Sequence, residues 1–163
     1  MPESILLLSQ SACVAMIAAW LTLGLRDNLL HPSLNAALVA EVMEMSRMRA
    51  AYPAEYAQLA HRAISDTLRH KAAFRLIVGV QCVAAAALWA GTAWLLLALA
   101  GAANAEAARA AAMIGALLFT AIWAGFLVAG NHFAYWFCHE DAQHTHSQML
   151  LWGLGTMILL AIG

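Results

Sequence analysis

The stretch Phe74–Leu96, FRLIVGVQCVAAAALWAGTAWLL, decides the fold class of this chain. It belongs to an apolar run over about residues 72–100, which is longer than the roughly 20 residues that a helix needs to cross a bilayer. The strands of a membrane barrel would alternate polar and apolar residues, and this run does not. It predicts a transmembrane helix that tilts or projects beyond the membrane at its Arg75 end, where the side chain can reach the headgroups.

Three further apolar runs predict an all-α, polytopic membrane protein. They cover about residues 5–25, 107–137 and 146–163, and the last is short because strongly apolar sequence begins only at Met149. The first run is a poor signal peptide, since no positive charge precedes it and it is too long. We expect a single domain over residues 1–163 that forms a bundle of four transmembrane helices.

The composition agrees with a membrane location and argues against nucleic-acid binding. Apolar residues make up 64% of the chain and charged residues only 10%, whereas a soluble domain has roughly a quarter charged residues. A net charge of −1 leaves no basic face for nucleic acid. The three cysteines are an odd number, and Cys13 and Cys82 lie inside apolar runs. A disulfide framework is therefore not expected.

The segment between the first two runs predicts two amphipathic helices, over about residues 33–51 and 53–65. Pro32 can start the first helix, which must end before Pro53 because the residue preceding a proline avoids helical backbone. Such helices lie on a membrane surface or on the bundle itself. Apolar residues recur here at helical spacing: Leu34, Leu38, Val42, Met45 and Met48.

Basic residues are concentrated in the same segment. The second connection carries only Arg109, and the third connection and both termini carry no Lys or Arg. The positive-inside rule places the first connection in the cytoplasm. In a four-span protein of the inner membrane, the third connection would share that side and both termini would face the periplasm. The remaining basic residues are Arg26, Arg47, Arg49, Arg62, Arg69, Lys71 and Arg75.

Small residues recur at every fourth position in the second and third runs. In lipid this spacing lets helix backbones approach closely, so it predicts packing faces. The positions are Ala87 and Gly91, Ala111 and Gly115, and Ala121, Gly125 and Ala129.

The chain resembles a bacterial family of predicted small integral membrane proteins, a four-helix domain of unknown function. The resemblance covers most of the chain and implies a fold and a location. It departs at Gly130–Phe133, where the family tends to have Gly-Glu-Trp-Phe before a turn rich in Trp and Gln. It rests on RDN (26–28), EVMEMSRMRAAYP (41–53), HRAI (61–64), His70, the opening stretch and Gly130.

The stretch NHFAYWFCHEDAQHTHSQ, residues 131–148, holds four of the seven histidines. Imidazoles and carboxylates suit zinc, copper or iron, so the candidate metal ligands are His139, Glu140, His144 and His146. A helix that continued through this stretch would place His132 and His139 on one face. The spacing does not match the H-E-x-x-H zinc motif. We favour the alternative of a solvated turn that caps helices at the bilayer edge.

Haem b is a separate hypothesis, because a helical bundle can hold haem between two histidines of facing helices. His132 could face His70 for this purpose. A histidine within a span is costly without a partner, and a hydrogen bond to Gln81, Asn28 or Arg75 is the favoured alternative. The methionines of MEMSRM, residues 43–48, suit copper(I), but such residues more often form an apolar helix face.

We therefore expect a small, non-enzymatic membrane protein that acts as an accessory or structural subunit of a larger inner-membrane complex. The sequence contains no phosphate-binding loop, zinc-protease motif or nucleophile elbow. Its expected partners are the lipid bilayer and other membrane subunits or a second copy. The alternative is a protein that binds haem, copper or zinc for electron transfer or metal handling. A transporter or channel would need a polar lining that the spans hardly provide.

Overall fold

Four long helices form the frame of the protein, whose computed structural model describes residues 2–162. Helix α1 spans Glu3–Leu30, α5 spans Thr67–Leu99 and α6 spans Ala105–His132. Helix α7 spans Glu140–Ala161 and packs along α6. Over the described range the chain is helical and contains no strand, which confirms the predicted all-α class.

Three short helices connect α1 to α5. Helix α2 spans Pro32–Glu44, α3 spans Ser46–Ala51 and α4 spans Pro53–Leu59, followed by a 3-10 turn at Ala60–Arg62. The sequence predicts one helix over residues 33–51, but Met45 breaks it with a left-handed backbone, φ 52°. The break redirects the chain so that Met45 and Met48 are both buried in a small apolar cluster with Ala134. Both methionines therefore pack as apolar core residues of this cluster.

Within residues 2–162, three helices, not the predicted four, are long and apolar enough to cross a membrane: α1, α5 and α6. Within the described residues α7 falls short because its first two turns are polar. They include Glu140 and Asp141, and strongly apolar sequence begins only at Met149. The third helix also differs from the predicted run over 107–137, since α6 ends at His132.

Helices α5 and α6 cross at very short distance, as their small residues predict. A Cβ added to Gly91 of α5 would lie 2.6 Å from the Cα of Ala112 on α6. One added to Gly115 of α6 would lie 2.9 Å from the Cα of Leu88 on α5. No larger side chain fits at either position without moving a helix backbone, so the two glycines set the separation of these helices.

Polar contacts fasten the two ends of the bundle. At one end the Gln10 side chain donates to the Leu159 carbonyl at 2.9 Å and accepts from Arg109 Nε at 3.1 Å, which joins α1, α6 and α7. At the other end Arg62 Nη1 donates to the His132 carbonyl at 3.3 Å, so the first and third connections meet. Arg109 thus lies within α6 and not in the loop before it.

Candidate functional site

A cavity of about 510 Å³ lies at the end of the bundle where the first and third connections meet. Helices α1, α2, α5, α6 and α7 all contribute to its wall, and α2 lies across it. Its volume falls in the range of about 300–1,000 Å³ that is usual for small-molecule sites. Among residues 2–162, no Asp, Glu, Lys or Arg borders the cavity. The bordering side chains include Trp20, Leu38, Val42, Phe74, Trp123, Phe126, Tyr135 and His146.

One wall of the cavity is aromatic and centres on His146 of α7. The centroid of its ring lies 4.9 Å from that of Phe126, 5.5 Å from that of Trp123 and 6.2 Å from that of Tyr135. Trp123 also packs edge-to-face on Trp20, with centroids 5.1 Å apart. These five rings therefore form one continuous cluster that joins α1, α6, α7 and the turn after α6.

Three polar atoms of this aromatic wall are buried and lack hydrogen-bond partners within residues 2–162: Trp123 Nε1, the Tyr135 hydroxyl and His146 Nδ1. Trp123 is only 5% exposed and Tyr135 only 3%. Burial also raises the pKa of the Tyr135 hydroxyl above its usual value. More than about 90% of buried polar groups in proteins are paired, and an unpaired one costs about 1–3 kcal/mol. All three belong to rings that border the same cavity.

A chain of neutral amides forms the opposite wall. Asn35 of α2 donates to the side-chain oxygen of Asn28 on α1, and Asn28 Nδ2 donates to Gln81 Oε1 on α5 at 2.8 Å. Asn28 and Gln81 are buried. The expected bond from His132 to one of these amides is not formed, because the amides pair with each other and the His132 side chain is exposed. These linked amide side chains instead hold α2 over the cavity.

A charged cluster holds the far end of α2 to the third connection. Arg47 Nε forms an ion pair with Glu41 at 2.6 Å, and His139 Nδ1 lies 3.9 Å from the same carboxylate. Burial lowers the pKa of His139, the Arg47 cation lowers it further, and Glu41 opposes them. For the Cys138 thiol, burial raises the pKa, Arg47 lowers it and Glu41 raises it. His139 is therefore a neutral ring at pH 7.

The four predicted metal ligands lie in two different environments. His139 and His146 are partly buried and border the cavity, whereas Glu140 and His144 are exposed. No group of three or more His, Cys, Asp or Glu side chains placed to hold a metal ion occurs between residues 2 and 162. Metal binding by these four residues stays a prediction.

The chain turns sharply between His132 and His139, so the two do not share a helix face as a continuing helix would require. Ala134 adopts a left-handed backbone with φ 54°, and a 3-10 turn follows at Tyr135–Phe137. The turn is anchored by close packing, since a Cβ on Gly130 would lie 2.6 Å from the Tyr135 ring. Tyr135 is thereby placed in the cavity wall.

The two predicted haem ligands have different surroundings. His70 is buried, its Nε2 lies 2.7 Å from the Ile64 carbonyl and its Nδ1 lies 3.6 Å from Glu44. His132 is exposed and packs its ring edge against Phe133. Both ring nitrogens of His70 thus have protein partners, and a haem between these residues stays a prediction.

Sequence reasoning did not identify the aromatic wall. Trp123 and Phe126 stand in an apolar run, where nothing in the pattern separates a cavity-lining aromatic from a lipid-facing one. Tyr135 falls in the stretch expected to be helical. The one available signal was Gln81, a strongly polar residue inside a span, which does border the cavity.

The comparisons with known proteins agree with this description of the chain. Curated proteins and solved structures give no significant match. The model of one protein family, described as predicted small integral membrane protein (DUF2165), matches residues 6–163. This confirms the resemblance that the sequence motifs indicated. The chain therefore belongs to the DUF2165 family of predicted small integral membrane proteins.

Proposed function

We propose that this protein is a small, non-enzymatic accessory subunit of a larger inner-membrane complex. The observation that carries the proposal is a face of α6 that has no packing partner among residues 2–162. Ala121, Gly125 and Ala129 repeat the spacing of the packing glycines, yet all three are exposed. A Cβ on Gly125 would meet nothing within 4 Å. Gly115 on the same helix, by contrast, packs directly against the backbone of α5.

Larger apolar side chains are exposed on the same part of α6. Ile114, Leu117 and Val128 are 59%, 53% and 73% exposed. Lipid removes the hydrophobic drive between helices, so transmembrane helices associate where small residues allow close backbone contact. The small-residue face therefore suits a helix from another subunit.

The arrangement in the membrane belongs to the same proposal. Helices α1, α5 and α6 cross the bilayer, and α7 inserts beside them as a fourth, shorter crossing. The bond from Gln10 to the Leu159 carbonyl supports this, because it holds the far end of α7 next to the first turns of α1. The basic first connection and the third connection lie in the cytoplasm, and both termini lie in the periplasm.

Co-purification tests the accessory role directly. The chain carries an affinity tag, is produced at native level and is extracted with a mild detergent, and its assembly size is read from a native gel and by mass spectrometry. We expect a discrete assembly that Gly125→Leu dissociates. Gly79→Leu is the matched control, because Gly79 is also exposed on a span with nothing within 4 Å of an added Cβ.

Two results would count against this proposal. The first is a chain that migrates as a lone 17.4 kDa monomer in its detergent micelle. The second is an assembly that tolerates Gly125→Leu as well as Gly79→Leu. An assembly that contains only copies of this chain would replace the accessory role with self-association.

The second candidate is a metal- or haem-binding protein for electron transfer or metal handling. Its support is a smaller cavity of about 400 Å³ bordered by Cys138, His139, Glu140 and Asp141, together with Arg47. Absorption spectra of the oxidised and reduced protein, with elemental analysis of the same fraction, test it. A Soret band that His132→Ala abolishes, or stoichiometric zinc or copper, would favour it. A featureless, metal-free sample would remove it.

A further inference from the structure

We propose that the 510 Å³ cavity beneath α2 is a binding site for a neutral, lipid-soluble molecule with a flat, carbonyl-bearing ring, of the quinone type. The site is independent of the accessory role. This proposal rests on the charge of the cavity wall, the arrangement of its aromatic rings and the kind of hydrogen-bonding groups that lack partners.

The ligand is neutral because the wall has nothing to balance a charge. Within residues 2–162, the polar side chains that border the cavity are amides, a threonine, a tyrosine, the tryptophans and two histidines. Burying an isolated ion without a partner is far more costly than burying a neutral polar group. Phosphate headgroups and free carboxylates are therefore poor occupants.

The ligand is flat because the wall is built of aromatic rings that present both faces and edges. The plane of Tyr135 lies at 20° to that of His146, whereas the planes of Trp123 and Phe126 lie at 66° to each other. Aromatic groups gain about 0.5–1.5 kcal/mol beyond area burial when they pack in offset or edge geometry. A planar ring gains this on several faces at once, whereas a flexible acyl chain does not.

The ligand carries a hydrogen-bond acceptor because Trp123 Nε1 is a donor only. It has no partner within the described chain, and neither has the Tyr135 hydroxyl, which can also donate. A carbonyl oxygen satisfies either group. Because both atoms are buried behind neighbouring rings, binding requires a rotation of the surrounding side chains that turns them towards the ligand.

Access to the cavity runs past α2, which polar contacts fasten but which buries little apolar surface. Within the described chain no residue of α2 is fully buried, and Leu34 and Leu38 are 67% and 48% exposed. Leu38 also borders the cavity. Elements with few buried apolar contacts open at low free-energy cost. A molecule dissolved in the lipid therefore reaches the site by displacement of a surface helix, without opening of the bundle.

The test measures binding of tritium-labelled coenzyme Q1, a short-chain benzoquinone, to the full chain in lipid nanodiscs, with empty nanodiscs as the measure of partitioning. Gly24→Leu fills the cavity, because Gly24 borders it and an added Cβ meets nothing within 4 Å. Gly79→Leu is the matched control on a lipid-facing site. Trp123→Phe keeps a ring and removes the donor, and its control is Trp94→Phe, a tryptophan that is 44% exposed.

We expect saturable binding of one quinone per chain, at least tenfold weaker binding to Gly24→Leu and unchanged binding to Gly79→Leu. Trp123→Phe should weaken binding by about two- to tenfold, the usual effect of one hydrogen bond. Trp94→Phe should bind normally. Circular dichroism checks that each variant is folded. If Gly24→Leu does not fold, Trp123→Phe alone tests whether the quinone binds in this cavity.

Three outcomes overturn the proposal. Binding that does not exceed the partitioning into empty nanodiscs removes the site. Binding that is unchanged in both Gly24→Leu and Trp123→Phe places the quinone elsewhere. Displacement of the quinone by oleate at equal concentration shows that the cavity holds an acyl chain and does not select a flat carbonyl compound. None of these results bears on the accessory role, whose test is the native assembly.

Discussion

Replacing Gly91 with Ala will destabilise the bundle more than replacing Gly79 with Ala. Both glycines lie in α5, so the gain of about 1 kcal/mol in helix propensity is common to the two variants and cancels in their difference. At Gly79 an added Cβ meets nothing within 4 Å, but at Gly91 it lies 2.6 Å from the Cα and 3.0 Å from the N of Ala112. These are backbone atoms, which cannot rotate aside. Helix α6 must shift, and overpacking of this kind costs about 1–3 kcal/mol.

The assay is equilibrium unfolding of the purified chain in mixed micelles, with rising mole fraction of SDS, followed by helical circular dichroism. We expect the free energy of unfolding of Gly91→Ala to lie about 1–3 kcal/mol below that of Gly79→Ala. Gly115→Ala should behave like Gly91→Ala, because its Cβ would lie 2.9 Å from the Leu88 backbone. Equal stability of Gly91→Ala and Gly79→Ala would refute the claim that these glycines set the separation of α5 and α6.

Three further predictions follow from polar groups. Gln10→Leu, which removes both of its bonds, should lower the free energy of unfolding by about 1 kcal/mol, given about 0.6 kcal/mol per bond in membrane bundles. The pKa of His139 is lower in the folded chain than in the unfolded chain, so the unfolded chain binds a proton at higher pH. The free energy of unfolding is therefore highest above about pH 6.5 and falls as the pH drops below that value. His139→Gln should reduce this loss of stability at low pH. The Cys138 thiol, with its raised pKa, should react with maleimide at pH 7.5 more slowly than glutathione, and more slowly still in Arg47→Gln.

The sequence predicted three of its four proposed spans correctly, because lipid imposes a simple rule. Apolar length is enough to identify α1, α5 and α6, since only a helix satisfies its own backbone in a membrane. The spacing of Gly91 and Gly115 correctly predicted a close contact, because at that spacing only small residues allow backbones to meet. The same spacing at Gly125 corresponds to no helix contact within residues 2–162. The pattern therefore predicts a packing face but does not identify the helix that packs on it.

The turn after α6 could not be predicted, and the candidate site depends on it. Ala134 has no intrinsic preference for a left-handed backbone, and it adopts one because Phe133 and Phe137 pack with Met45 and Met48 on the first connection. That contact joins residues about 90 positions apart, as the bond from Arg47 to the Cys138 carbonyl shows (|i−j| = 91). Periodicity within a short window carries no information about such a contact. The turn places Tyr135 in the cavity wall, so the site depends on the same long-range contact and could not be predicted either.

The polarity of α7 accounts for the position of the cavity. From Met149 to Ala161 the helix rises about 20 Å at about 1.5 Å per residue, against a hydrocarbon thickness of about 30 Å. This apolar part is therefore shorter than a bilayer crossing, and it follows polar turns in which His146 lies among aromatic rings and Gln143 is partly buried. Side chains of this kind do not close the space between α1 and α6 as Leu or Ile would. At the opposite end, Gln10 satisfies the Leu159 carbonyl and the bundle is closed. The helices therefore pack together at the Gln10 end and leave space at the polar part of α7. The cavity lies in that space, beside His146 and next to α2.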